Sequence, residues 1–235
     1  MSTTLNIIPG TPPDLTFGQV LALSEEYIHA FLRSIDQPNT IRLQVNIHEN
    51  REDYLKTVHA GDRFEWAKNE YAWFSIEGIS GGTDAYCTQL SAPDIDPDNP
   101  WWRLEDLEER NTCIKDIQQK LEQSKSIDRC WYFSRSAGQP GIIALAYGCI
   151  SAAVATLTDG IIWSDDGAWD YARFPADGKH FLEWYFKPEQ ALHADNADWA
   201  RRCIEGIIAD LNPAPDMEVA LKRSWWQRLW HKGQA

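Results

Sequence analysis

The feature that most constrains this chain is the stretch 136–158, which contains no charged side chain. Such a stretch raises the question of a membrane span. Its apolar part runs only from Gly141 to Leu157, is diluted by Gly148, Ser151 and Thr156, and has no basic residues after it. A membrane-spanning helix needs about 20 predominantly apolar residues and is oriented by basic flanks. We therefore predict a helix buried between a sheet and other helices, and no membrane span.

Two apolar segments flank this helix, and both are predicted to be strands. Arg129–Arg135 is dense in aromatic residues, which suits a central position in a sheet. Gly160–Ser164 is a short segment of buried character. A strand, a helix and a second strand in this order predict a right-handed crossover, and hence at least one parallel pair of strands.

The other strands are expected to pair antiparallel. Residues 41–47 alternate apolar and polar side chains without interruption, which predicts a half-buried strand. Residues 70–78 and 83–90 are separated by a glycine-rich turn and predict a hairpin, and residues 5–8 predict a further short strand. The polar residues that should face away from the core near the alternating strand are Arg42, Gln44, Asn46 and His48.

Four more segments have helical patterns. Thr16 followed by Gln19 predicts a capping box at the start of a helix over 16–35. A second helix is predicted from Pro100 to about residue 123, a short one over 179–187, and a last one capped by Asp195. The residues predicted to line the inner face of the last helix are Trp199, Cys203, Ile207, Ile208 and Leu211.

These elements predict an α+β fold: a mixed, largely antiparallel sheet with one βαβ-like crossover, packed against several helices. Residues 1–211 are expected to form a single domain. Residues 212–235 are predicted to be a linker and a short basic helix rich in tryptophan. That helix should dock on the acidic body or on a second copy of the chain in a homodimer, and a role at a membrane surface is the alternative.

The formal net charge is −13. This argues against direct binding of nucleic acid, because phosphate groups require a basic surface. An acidic protein can instead oppose a basic surface on another protein, although acidity also serves solubility alone. The five cysteines form no CxxC pair, and the N-terminus has no signal-peptide pattern. We therefore expect a reducing, cytoplasmic location.

Four aspartates lie close together in the sequence: Asp159, Asp165, Asp166 and Asp170. Carboxylate clusters can hold Mg²⁺ or Ca²⁺, but this one lacks the spacing of an EF-hand loop. Asp-Asp-Gly is also favourable turn chemistry, so a surface turn is the preferred interpretation. The alternative is a hydrolase or metal-dependent enzyme that uses Asp165, Asp166 and Asp170.

No recognisable catalytic motif accompanies these aspartates. The six histidines have no zinc-ligand spacing, and the chain contains no G-x-S-x-G elbow. Cys130 and Cys149 lie on predicted buried elements, where thiols are inert. We therefore expect a protein that is not an enzyme and that has neither a cofactor nor a metal.

A more distinctive feature is a set of aromatic residues surrounded by acids in two segments. Carboxylates can imitate phosphates and speed association, while aromatic side chains slow dissociation, which suits an inhibitor of a basic, nucleic-acid-binding enzyme. The candidate contact residues are Asp94, Asp96, Asp98, Trp101, Trp102, Asp165, Asp166, Trp169 and Asp170.

Three motifs also carry a family resemblance: Trp131–Arg135, Gly160–Tyr171 with its Asp-Asp-Gly-Ala-Trp-Asp core, and Phe181–Phe186. Over about residues 35–210 the chain resembles the Immunity protein 52 family of bacterial polymorphic-toxin systems. Members accompany restriction-endonuclease-like toxins, including type VI secretion effectors. The resemblance implies a cytoplasmic antitoxin that binds and occludes a cognate nuclease and catalyses nothing itself.

Overall fold

A single sheet of seven strands runs through the protein, whose computed structural model describes residues 3–49, 55–90, 104–164 and 171–212. The strand order is β3-β2-β4-β5-β6-β1-β7, and every pair of neighbours is antiparallel. The strands are β1 (Thr3–Ile8), β2 (Leu43–Glu49), β3 (Leu55–Thr57), β4 (Glu70–Ile76), β5 (Thr83–Thr88), β6 (Cys130–Arg135) and β7 (Ile161–Trp163).

Six α-helices accompany the sheet in these described residues. The helices are α1 (Phe17–Ser34), α2 (Leu104–Arg110), α3 (Ile117–Ile127), α4 (Gly141–Leu157), α5 (Gly178–Trp184) and α6 (Ala194–Leu211). Together with the antiparallel sheet they confirm the predicted α+β class. One hydrophobic core includes residues from Leu5 to Ile207. The predicted linker and basic helix fall almost wholly outside the described residues.

The uncharged segment forms α4, and every residue from Ile142 to Ala155 is buried. The helix packs against α1, α5 and α6 on its outer sides and against β1, β6 and β7 beneath it. Its small residues allow these close approaches. The prediction of a buried helix is therefore confirmed, and no helix in the described ranges is long and apolar enough to cross a membrane.

The predicted parallel pair of strands is wrong, although the crossover itself exists. β6 and β7 run in the same direction, but β1 lies between them and pairs antiparallel with both. Asn6 of β1 faces Tyr132 on one side and Trp163 on the other. The N-terminal strand thus takes the hydrogen bonds that a parallel pair would have formed. Nothing in the segment around α4 indicates that a strand so distant in sequence is inserted there.

Two helix boundaries also differ from the prediction. Residues 100–123 do not form one helix, because the side-chain oxygen of Asn111 accepts the backbone N–H of Ile114 at 2.8 Å. This local turn competes with helix continuation and separates α2 from α3. Asp195 is not a cap but lies in the first turn of α6, where its charge still favours the helix dipole. The capping box at Thr16 and Gln19 is confirmed.

The inner face of α6 differs as well. Ile208 is 37% exposed, so its predicted burial is wrong. Ile207 is fully buried, and Trp199, Cys203 and Leu211 pack against the core as partly buried residues. Adjacent residues lie about 100° apart around a helix, and on α6, which turns one side to the core, Ile207 and Ile208 therefore point in different directions.

Asp177 caps α5 and gives the fold a dependence on pH. Its carboxylate accepts the backbone N–H of His180 at 2.8 Å and lies 2.7 Å from the imidazole Nδ1 of the same residue. Burial alone would raise the pKa of Asp177, but these hydrogen bonds outweigh it and lower the pKa below its ordinary value. The ionised carboxylate therefore stabilises the folded chain.

We expect Asp177→Ala to lower the free energy of unfolding by about 1 kcal/mol at pH 6, as for the loss of other helix caps. Because the folded pKa is lowered, this stabilisation is present above the ordinary pKa and is lost as the pH falls through the folded value. Urea denaturation of both proteins between pH 6 and pH 2 should show the difference shrinking. The surface variant Asp198→Ala is the control, and a difference that grows on acidification would contradict the assignment.

Candidate functional site

The face of the sheet opposite α1, α4, α5 and α6 carries a row of aromatic side chains. His48 of β2 is opposite Tyr71 of β4, and Tyr86 of β5 is opposite Tyr132 of β6. The pairing of Ala72 with Ala85 places Tyr71 and Tyr86 side by side. We call these four residues the aromatic row. They are half-buried, whereas the residues that alternate with them in β2 and β4 face the core.

The rings of the aromatic row are packed against each other. Centroids of His48 and Tyr71 are 5.0 Å apart, those of Tyr71 and Tyr86 5.6 Å, and those of Tyr86 and Tyr132 4.7 Å. The interplanar angles are 13°, 30° and 11°. These separations are close to the spacing of adjacent strands, so the rings stand upright on the sheet. The row therefore presents ring edges and polar tips, not ring faces.

The Tyr132 hydroxyl of the row stays protonated at neutral pH. Burial is the main cause that raises the pKa of Tyr132 to about 12, and the neighbouring Tyr86, Cys130 and Asp84 contribute to the same shift. A neutral phenol can both donate and accept a hydrogen bond. The row thus combines apolar ring surface with directional polar groups, which is the combination that makes tyrosine common in protein interfaces.

A second line of residues runs beside the row on the same face. Trp73 is opposite Asp84, and Asp84 is opposite Ser134. The indole of Trp73 lies over Gly82, where an added Cβ would come within 2.6 Å of the ring. Gly82 is therefore needed to seat this tryptophan. Asp84 places a carboxylate beside Trp73 in the register of the sheet.

The same register position continues across the sheet beyond the aromatic row. Asn6 of β1 is opposite Tyr132, and Trp163 of β7 is opposite Asn6. Trp163 is almost completely buried, and the guanidinium of Arg110 lies 5.3 Å from its ring centroid. This cation–π contact brings the end of α2 to the same face of the sheet. The aromatic row is thus bounded on one side by α2.

All nine candidate contact residues lie outside the described residues: Asp94, Asp96, Asp98, Trp101, Trp102, Asp165, Asp166, Trp169 and Asp170. Their flanking residues are described. One segment begins after β5, which carries Tyr86, and ends at α2, which carries Arg110. The other begins directly after β7, and Ala176 then returns to bond with Ile162. The described elements that flank these two segments thus form or bound the aromatic-row face.

Asp159, the fourth aspartate of the sequence cluster, has a structural position. Its backbone adopts the left-handed conformation at a φ of 46° where α4 ends. The ammonium of Lys120 forms a salt bridge with its carboxylate and donates to its carbonyl oxygen at 2.8 Å. This residue fixes the turn between α4 and β7 and anchors α3 to it.

Groups for metal or thiol chemistry do not converge in the described part of the chain. No set of three or more His, Cys, Asp or Glu side chains there could hold a metal ion. Burial raises the pKa of Cys87 to about 11 and of Cys130 to about 12, and that of Cys149 even more. These thiols are protonated at neutral pH and are poor nucleophiles. The predicted burial of Cys130 and Cys149 is confirmed.

Sequence reasoning missed the aromatic row. Of its four members it placed only His48 away from the core, together with Arg42, Gln44 and Asn46. The alternation of buried and less buried residues in each strand could have indicated the row, because Tyr71, Tyr86 and Tyr132 all occupy positions that face away from the core. Joining them required the register between strands, which no local pattern supplies.

No known family model matches the chain, and neither a curated protein nor a solved structure matches it significantly. The resemblance to immunity proteins therefore stays a prediction that rests on the sequence motifs.

Proposed function

We propose that this chain is a cytoplasmic immunity protein that binds a basic, nuclease-type toxin through the aromatic-row face and neutralises it by occlusion, without catalysis of its own. The observation that carries the proposal is the stacked row His48, Tyr71, Tyr86 and Tyr132 across four strands. Rigid aromatic groups with polar tips, set on a sheet, are typical anchors of protein–protein interfaces.

A protein partner is favoured over nucleic acid for two reasons. Proteins that bind single strands stack bases on the faces of aromatic rings, but the faces in this row are covered by the neighbouring rings. The net charge of −13 also repels phosphates. A flat array of ring edges beside a carboxylate instead suits a protein surface that offers arginine and lysine side chains.

The acidic charge favours a basic partner. Long-range attraction between opposite charges speeds the encounter of two proteins and weakens as salt screens it. The aspartates of segments 91–103 and 165–170 contribute to this negative charge. A nuclease has a basic surface to hold its own substrate, so the same attraction would direct this protein to the active face of the toxin.

The proposal predicts that the gene immediately upstream encodes an effector with a nuclease-like C-terminal domain. It is tested with that domain in a binding assay by biolayer interferometry and in a DNA-cleavage assay. The wild type should bind tightly and suppress cleavage. Tyr86→Ala should raise Kd by about 10- to 30-fold, mainly by faster dissociation, as for an interface anchor. Tyr86→Phe should show whether the ring or the hydroxyl contributes more.

Tyr27→Ala is the matched control, because Tyr27 lies on α1 on the other side of the sheet and should change Kd less than twofold. Circular dichroism confirms that each variant is folded. The proposal fails if the wild type forms no complex with this domain, or if Tyr86→Ala and Tyr132→Ala together leave binding and protection intact.

A further inference from the structure

A cleft of about 190 Å³ lies in the helical layer, on the side of the sheet away from the aromatic row. Leu145 and Cys149 of α4 form its base, and both are 1% exposed. Phe31 of α1 and Leu182 of α5 contribute apolar walls. The interior is thus apolar and is built from three different helices.

Tyr185 gives the cleft a fixed wall. Its ring stacks on Phe181 with centroids 4.5 Å apart, and its hydroxyl donates a hydrogen bond to the carbonyl oxygen of Ala144 at 2.6 Å. Opposite the ring, Gly148 has no side chain, and a Cβ there would lie 2.0 Å from a ring carbon. The shape of the cleft is therefore set by packed groups and does not depend on a mobile side chain.

The rim of the cleft is polar and carries a positive charge. Lys187 lines it, together with Ser34 and Tyr27. Within the described chain, no carboxylate oxygen lies within 4.0 Å of the Lys187 ammonium. A partly buried cation at the mouth of an apolar cleft favours a ligand with one anionic end and one apolar end.

We propose that this cleft binds a small aromatic monocarboxylate of about the size of benzoate, with the carboxylate on Lys187 and the ring against Leu145 and Phe31. The size fits, because an apolar cavity of about 150 Å³ accommodates benzene, and the additional volume leaves room for a carboxylate. This proposal does not depend on the immunity function, since the cleft and the aromatic row lie on opposite sides of the sheet.

An NMR titration of the full-length chain with benzoate tests the proposal. Saturable shifts with a Kd on the order of 1 mM are expected for so small a ligand. Benzylamine, which has the same ring and a positive charge, should not bind. Lys187→Gln should weaken benzoate about fivefold, the usual size of an exposed ion pair. Lys179→Gln, on the exposed face of α5, should have no effect.

A variant that fills the cleft distinguishes benzoate binding in the cleft from benzoate binding at other sites. Ala30→Phe puts a phenyl group at the rim from an exposed position of α1 and should abolish benzoate binding, whereas Ala22→Phe, at another exposed position of the same helix, should not. The proposal is overturned if the wild type does not bind benzoate, or if Ala30→Phe and Lys187→Gln bind it as well as the wild type. If the wild type does not bind benzoate and Ala30→Phe changes the oligomeric state of the protein, the cleft is instead a contact site for a second copy of the chain. That result would also overturn the proposal. Toxin binding by these variants should stay unchanged.

Discussion

Replacing Phe186 by alanine is expected to lower the free energy of unfolding by about 3 to 5 kcal/mol, the usual cost of removing a buried phenyl group. The side chain is fully buried, with its centroid 5.3 Å from Trp199 and 5.9 Å from Phe31. It therefore joins α6 to α1. The backbone at Phe186 has a φ of 58°, which is costly for a residue with a Cβ. The packing of the ring must outweigh that cost.

This backbone conformation allows a sharper test with glycine. Phe186→Gly should be more stable than Phe186→Ala by about 1 kcal/mol, because glycine adopts a positive φ without the Cβ penalty. Phe181 is the matched control, since it is equally buried but lies within α5. There the order should reverse, with alanine more stable than glycine by about 1 kcal/mol. Guanidinium denaturation of the four variants measures both differences, and the same order at both positions would refute the conformational explanation.

Gly148→Ala is expected to lower the free energy of unfolding by about 2 to 3 kcal/mol, as for other additions to a filled core. Alanine normally favours a helix over glycine, but here the new methyl group would meet the Tyr185 ring at 2.0 Å. The ring cannot move aside easily, since it is stacked on Phe181 and bonded to Ala144. Displacing it would leave a buried hydroxyl without its acceptor.

Gly206→Ala in α6 provides the comparison, because nothing lies within 4 Å of a Cβ built at that position. It should raise the free energy of unfolding by about 0.5 to 1 kcal/mol, the difference in helix propensity. Thermal denaturation of both variants distinguishes the two effects. Equal stability of Gly148→Ala and the wild type would mean that the Tyr185 ring has space to relax.

Local patterns in the sequence predicted most of the elements for identifiable reasons. The lack of charge over 136–158 required burial, and the alternation over 41–47 required a sheet with one face toward a core. Both are properties of a single segment. The break at Asn111 was missed because a side chain of high turn propensity competed with an otherwise helical pattern. The cost of that competition cannot be judged from periodicity alone.

The candidate site was harder to predict because it depends on the pairing of strands. Tyr71 and Tyr86 lie on the two strands of one hairpin, whereas Tyr132 is distant from both in the chain, and the three meet only through register. Sequence reasoning instead concentrated on acidic segments with adjacent tryptophans, since these are contiguous. Asp159 belonged to that group by position, but its contacts with Lys120 explain it as a structural residue. For Asp159, nearness in sequence to the other aspartates therefore did not indicate a shared role, and the nine candidate contact residues lie outside the described residues.

The position of β1 also has a consequence for biosynthesis. Its two partners, β6 and β7, lie more than a hundred residues later in the chain. During translation the first strand must remain unpaired until most of the polypeptide has been made. Contacts so distant in sequence slow folding, because a large loop must close before they form. The β2–β4–β5 part of the sheet, together with α1, can form earlier. His48, Tyr71 and Tyr86 of the aromatic row can thus be in place before the ribosome has finished β6, which carries Tyr132.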